Sequence, residues 1–319
     1  MSDNKNKKGL TEEDYIRKHL SEQEDINKNF NDGDVNDGFS YVESNKEANK
    51  ISDLEYFTQD VNTLPCGKFY QPGTLIKVRA ANVKEIQAYS MVDDTNFYDI
   101  VEKMDDILQS CIRVKYPDGK IGSFLDIKDQ DRLYLIFLIR ELTFQQGNTL
   151  SVNKKCKCGN ELTIELKRQH FIFYQEDENL KEYFDEKTKS YYFKLVNSKE
   201  YVLTPPNIGL KKSFTDYILK ENAEDRKPNL SFLKIIPFML PNRTAITYDG
   251  IKAKLKEFES MDDVSFQFLN SAVDKMKFGI KELYKICECG EEVHTEMQFP
   301  NGASAIFVIH DAFESYIKK

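Results

Sequence analysis

The chain has 319 residues, with 45 Lys and Arg against 53 Asp and Glu, 40% apolar residues and no tryptophan. That length fits one large domain or two ordinary ones, and the apolar fraction suits a globular protein with a modest core. The longest apolar stretch, "LYLIFLI" from Leu133, is far too short for a bilayer, and no basic cluster stands out. Neither a membrane nor a nucleic acid is therefore an expected partner.

The charge is unevenly spread. Residues 1–60 hold 15 acidic and 8 basic side chains, whereas the rest of the chain is close to neutral, 38 against 37. The stretch "NKNFNDGDVNDGFSYVESNKEANK" is too polar to offset its ordering entropy by burial, which predicts a flexible acidic arm over residues 1–62. A short helix around "TEEDYIRKHLSEQEDI", with Thr11 as N-cap, is expected within it. The first fifteen residues are charged and lack the apolar run of a signal peptide, so a cytoplasmic location is expected.

Order is expected to begin near "LPCGKFYQPGTLIKVRAA", where Pro65, Gly67, Pro72 and Gly73 mark turns and "TLIKVRA" alternates like a half-buried strand. Helices follow over "VKEIQAYSM" and "NFYDIVEKMDDILQSCI". The second sets Phe97, Ile100, Val101, Met104, Ile107, Leu108 and Cys111 on one stripe, so Cys111 reads as a small buried apolar residue. "YPDGKIG" is a turn. "DIKDQDRLYLIFLIRELTFQQGN" predicts the central helix of the core, capped by Asp126 or Asp129 and ended by Gly147-Asn148. Its Arg140 then needs a carboxylate or a route to the surface.

Further on, "ELTIELKR" alternates as a strand and "SYYFKLVNSKEYVLTPP" reads as a hairpin about Asn197-Ser198. Helical periods then run through "GLKKSFTDYILKENA", "LSFLKIIPFML", "GIKAKLKEF" and "MDDVSFQFLNSAVDKMKFGI", kept short by Pro228, Pro237 and Pro241. A last apolar segment, "AIFVIHDAFESYIKK", is expected to be helical. The fold class is α+β. The expected organisation is an arm over 1–62, a core with the first cysteine pair over 63–170, a hairpin plus helical insertion over 171–280, and a second cysteine pair with the C-terminal segment over 281–319.

Four of the six cysteines fall in two copies of one phrase, "KCKCGNELTIEL" from Lys155 and "ICECGEEVHTEM" from Ile286. Cys156, Cys158, Cys287 and Cys289 are the candidate metal ligands. Two such hairpin tips facing each other would complete a closed tetrahedral thiolate shell, a structural zinc site with no position open for chemistry. A shared ion requires the four sulfurs within about 4 Å of one another, since zinc–sulfur bonds are about 2.3 Å long. The spacing of one residue between cysteines is one short of the usual zinc knuckle. Metal-free hairpins whose cysteines pack together are the alternative; a disulfide is disfavoured in a cytosolic chain, and an iron–sulfur cluster fits the ligand count but has no electron-transfer motif beside it. His294 on the second copy matches Thr163 on the first, so symmetry argues against it as a ligand, and the same ordinary role is expected of His310.

The sequence holds no Gly-rich phosphate loop after a strand, no Gly-x-Ser-x-Gly elbow and no His-Glu-x-x-His helix. Nothing in it points to an enzyme. The order of its parts does point elsewhere. "LPCGKFYQPGTLIKVRAANVKEI" resembles the Leu-Pro-Ser-x-Gly-x-x-Tyr stretch, strand and helix of the T-even-type phage baseplate hub assembly family. The acid-started central helix is similar to that family's Asp-x-x-x-Leu-x-x-x-x-Arg helix, and "KKCKCGNELTIEL" follows it as in the family. The resemblance covers Leu64 to Leu166 well and is weaker from Ile286 onward; Cys66 stands where Ser is usual.

The resemblance implies a structural component or assembly chaperone of the contractile-tail baseplate hub, without catalytic residues. Its partners would be other hub or tail proteins, the tape-measure protein among them. Its location would be the host cytoplasm during assembly, and the virion if it is retained. From another class, the cysteine pairs would suit a zinc-ribbon adaptor binding nucleic acid or another complex, which would need a basic face around them. Lys154, Lys155 and Lys157 are offset there by Glu288, Glu291 and Glu292.

Overall fold

The structure, a computed structural model, describes residues 56–144, 150–166, 171–172, 178–241, 243–276, 279–280, 283–295 and 303–307. Both the helix expected after Thr11 and the residue His310 lie outside the described residues.

The first layer is an antiparallel sheet of β1 (Phe57–Gln59), β2 (Leu75–Val78), β3 (Ile112–Lys115) and β4 (Ile121–Gly122), in that spatial order. Alternation in β2 and β3 sends Ile76, Val78, Ile112 and Val114 inward. β1 falls inside the stretch expected to be arm. It is a strand because its backbone pairs with β2, Phe57 opposite Val78, and this tertiary pairing is invisible in its polar sequence.

Two helices follow the sheet's inner face. Helix α1 (Val83–Tyr89) starts with a capping box in which Asn82 and Glu85 satisfy each other's backbone N–H groups. Helix α2 (Phe97–Cys111) is capped by Asn96 and buries Met104, Ile107, Leu108 and Cys111, while Phe97 at its first turn is exposed. It packs on α3 (Arg132–Thr143), whose seven consecutive residues Tyr134–Arg140 are all buried.

That central placement was expected; its termini were not. Asp126 instead closes the 3-10 turn Phe124–Asp126, accepting from the N–H of its N-cap Ser123, Asp131 stands at the N-cap of α3, and α3 ends at Thr143, before Gly147-Asn148. Arg140 does not reach the surface. Its Nη1 donates to the Ile306 carbonyl at 3.0 Å and its guanidinium lies over the Phe144 ring.

The first cysteine hairpin is β5 (Leu150–Lys155) and β6 (Glu161–Leu166). Beyond it come β7 (Phe171–Ile172), the single-turn α4 (Glu178–Lys181), β8 (Phe184–Asp185), and the hairpin β9 (Ser190–Lys194) and β10 (Glu200–Leu203). The helical insertion is α5 (Ile208–Ala223), α6 (Leu230–Ile235), α7 (Tyr248–Glu259) and α8 (Asp263–Lys275). Its helices begin on Asn207, Asn229, Thr247 and Asp262, each accepting from a first-turn N–H.

The period had carried the last helix through Ile280. It stops at Lys275, and β11 (Gly279–Ile280) pairs with β7 instead. The second cysteine hairpin is β12 (Leu283–Ile286) and β13 (Glu292–Thr295). Ala303–Ile306 forms a 3-10 turn that brings Phe307 against Tyr89, centroids 5.0 Å apart. Among the described residues no helix is long and apolar enough to cross a membrane.

Candidate metal centre

Both cysteine phrases fold into one loop geometry. The Cys156 N–H donates to the Asn160 carbonyl at 2.8 Å, and the Gly159 N–H donates back to the Cys156 carbonyl at 2.9 Å. In the second copy Cys287 pairs with Glu291 and Gly290 with Cys287, at 2.9 and 2.8 Å. Each is a three-residue hairpin loop whose last residue takes a positive φ, +97° at Gly159 and +87° at Gly290, the region that favours glycine.

The same closure recurs without cysteines at Tyr116–Gly119 and at Leu195–Ser198, where Gly119 and Ser198 have positive φ. The spacing of one residue thus has a physical reason. The first cysteine ends a strand, the second sits in the middle of the loop, and the glycine closes it.

The two tips face each other across β5–β6 and β12–β13, so that the first cysteine of each meets the second of the other. Cys156 Sγ and Cys289 Sγ are 3.6 Å apart, and so are Cys158 Sγ and Cys287 Sγ. All four sulfurs lie within 4.8 Å of one another. A tetrahedral site with metal–sulfur bonds of about 2.3 Å has sulfurs about 3.8 Å apart, so the set fits a metal ion with small adjustment. None of the four is in a disulfide; Cys156 and Cys287 are buried, and Cys158 and Cys289 are exposed.

The electrostatics favour a cation. The N–H of Cys289, aimed at the Cys287 sulfur, and hydrogen bonds from the other three thiols pull Cys287 down to about 7. Cys158 receives the N–H of Asn160, which lowers it, yet the three neighbouring sulfurs push it up to about 12. A single thiolate forms readily here, whereas four together repel one another; a divalent ion offsets that repulsion.

Residues that the spacing did not single out tie the tips together. Asn160 Nδ2 lies 3.8 Å from Cys287 Sγ, Lys157 Nζ meets Glu291 Oε1 at 2.6 Å, and Lys285 Nζ donates to the Thr163 carbonyl at 3.1 Å. The signal for Asn160 was present in its place directly after the glycine. With Lys157 paired to Glu291, the clamp presents mixed charge at its tips. His294 is on β13 opposite Tyr284, half-exposed, and beside Glu292; the ligand-like group among the described residues is the four cysteines.

A second constellation lies in the body. The carboxylate of Asp131, fully buried, accepts from the Cys66 N–H at 2.8 Å and from the Tyr70 hydroxyl at 2.6 Å. Tyr70 in turn accepts from the Lys128 N–H at 2.9 Å. Burial outweighs these donors and pushes Asp131 up to about 7. Burial also pushes the Cys66 thiol up, so it stays neutral and unreactive. The turn is tight as well: a Cβ on Gly67 would stand 2.5 Å from the Val61 carbonyl oxygen. This is a fastening, with every polar group matched, and it holds the "LPCGKFY" turn onto the start of α3.

Comparison with protein-family models, with curated proteins and with solved structures finds no match to this chain.

Proposed function

We propose that the four cysteines hold one structural zinc ion, and that the chain is a non-enzymatic component or assembly chaperone of a contractile-tail baseplate hub. The observation that carries the first half is the closed set of four sulfurs, two from each of two hairpins 129 and 133 residues apart in pairing. Four thiolates complete zinc's preferred tetrahedron, which leaves no position for water or substrate and assigns the ion to architecture.

The second half rests on the resemblance over Leu64–Leu166, and the packing of that stretch supports it. Asp131, Leu135 and Arg140 stand at the Asp-x-x-x-Leu-x-x-x-x-Arg positions of α3, and all three are buried. Asp131 is the acceptor for Cys66 and Tyr70 of the "LPCGKFY" turn. The residues that carry the likeness thus bind one another. The partners would be hub or tail proteins, including the tape-measure protein, met in the host cytoplasm during assembly.

The test is fractionation of infected cells with a tagged chain. A hub component sediments with finished tails; a chaperone is captured with hub or tape-measure protein only before tails assemble. Recovery in neither fraction would overturn both forms of the proposal.

A further inference from the structure

The outer face of the first sheet carries cations that the sequence separates widely. Register sets Thr58, Lys77 and Arg113 in one cross-strand row, and Leu75, Lys115 and Ile121 in the next. All six side chains are exposed. Lys77 and Arg113 stand directly opposite each other, a like-charge pairing that destabilises an isolated sheet. Lys115 follows Arg113 by two residues, about 7 Å along the strand on the same face.

Nearby acids are already engaged: Asp118 with Lys120, and Glu85 with the buried Arg79. Arg113 also donates to the last carbonyls of α2, at Gln109 and Ser110, which fixes its charge at this place. Among the described residues, neither a hydrogen bond nor an ion pair engages the ammonium of Lys77 or Lys115.

The chain itself enters over this face. The Tyr56 ring lies 5.9 Å from the Arg113 guanidinium and 6.0 Å from that of Arg79, directly before edge strand β1. Upstream, residues 30–44 read "FNDGDVNDGFSYVES": four acids, five large apolar side chains and no Lys or Arg. Eleven residues, 45–55, join that stretch to Tyr56 and span at most about 40 Å, against a four-stranded sheet about 15 Å across.

We infer that residues 30–44 dock in cis on the outer face of the β1–β4 sheet, with their carboxylates against Lys77, Arg113 and Lys115 and their aromatic side chains against Leu75 and Ile121. This inference is independent of the hub assignment and of the metal.

Zero-length carbodiimide coupling of the full chain, mapped by mass spectrometry on a mixture of isotopically light and heavy protein, tests it. The exposed Lys157–Glu291 pair is the internal control for coupling and for the fold. Lys77 and Lys115 are expected to couple to Asp32, Asp34, Asp37 or Glu43 within one chain, with the yield lost in 1 M salt, where screening acts over about 3 Å. Arg113→Gln removes a cation that cannot itself be coupled and should lower both yields about threefold, while Lys157–Glu291 is unchanged. If the control couples while the two lysines do not, the inference is overturned. Coupling spread evenly over all arm acids, or found in mixed light–heavy pairs, also overturns it.

Discussion

The body around α3 and the pair of cysteine hairpins are held together by different means. In the body, Leu135, Ile136 and Ile139 are wholly buried, and the carboxylate of Asp131 beside them has matched donors. Burial of such aliphatic side chains contributes about 1.5–3 kcal/mol each, so the body does not need a metal. The hairpins are two-stranded sheets whose inward side chains are few: Val152, Ile164, Cys156, Leu283, Cys287 and Thr295. A lone two-stranded hairpin is marginal in water. Where apolar burial is thin, four sulfurs take its place, and the two regions should fail separately.

The largest effect is expected from breaking the clamp. Cys287→Ser, or a strong chelator, should remove metal binding and expose the amides of β5, β6, β12 and β13 to rapid hydrogen exchange. Structural zinc sites contribute on the order of 10 kcal/mol to the folding of the segments they join. The amides of α3 should keep most of their protection, which would distinguish a clamp from a core-wide dependence on the ion.

The reverse experiment breaks the body and spares the clamp. Asp131→Ala leaves the Cys66 N–H and the Tyr70 hydroxyl without their acceptor and should cost about 2–4 kcal/mol in urea unfolding, with metal stoichiometry unchanged. Asp131 also sets a pH dependence. Its folded value, about 7, lies above that of the unfolded chain, so its contribution is complete below the ordinary carboxylate range and is lost as pH rises through about 7. Asp105, pushed up to about 6 by burial despite Arg132 beside it, acts in the same direction. The wild-type urea midpoint should therefore fall between pH 5 and 8, and Asp131→Asn should flatten that fall.

The smallest effect sharpens the loop geometry. Gly159→Ala places a Cβ in open space but at positive φ, so only backbone strain counts, about 1–2 kcal/mol. Gly159→Asn should recover part of it. A thermal melt of both variants with metal bound would measure the difference.

Much of this contrast was legible in the residues. The stripe of α2, the all-round apolar run of α3 and the alternating strands of the hairpins follow from period alone, and the duplicated Cys-x-Cys-Gly phrase singles out the four cysteines whose sulfurs meet. What could not be read depends on partners distant in the chain. β1 is a strand only because β2 pairs with it, and Gly279–Ile280 leaves a helical period to meet Phe171–Ile172. The acids before α3 suggest a cap at Asp126 or Asp129 and do not single out Asp131, on which Cys66 and Tyr70 close from more than sixty positions away. The positive outer face escaped notice for the same reason: Lys77 and Arg113 are brought together by register.

The central claim is that four sulfurs from two distant hairpins share one ion. X-ray absorption at the zinc edge, on protein purified under reducing conditions and shown by elemental analysis to carry metal, tests it most directly. The account predicts one zinc per chain with four sulfur neighbours at about 2.3 Å and no nitrogen or oxygen ligand. Protein that stays folded in all four hairpin strands with no bound metal and four titratable thiols would contradict it.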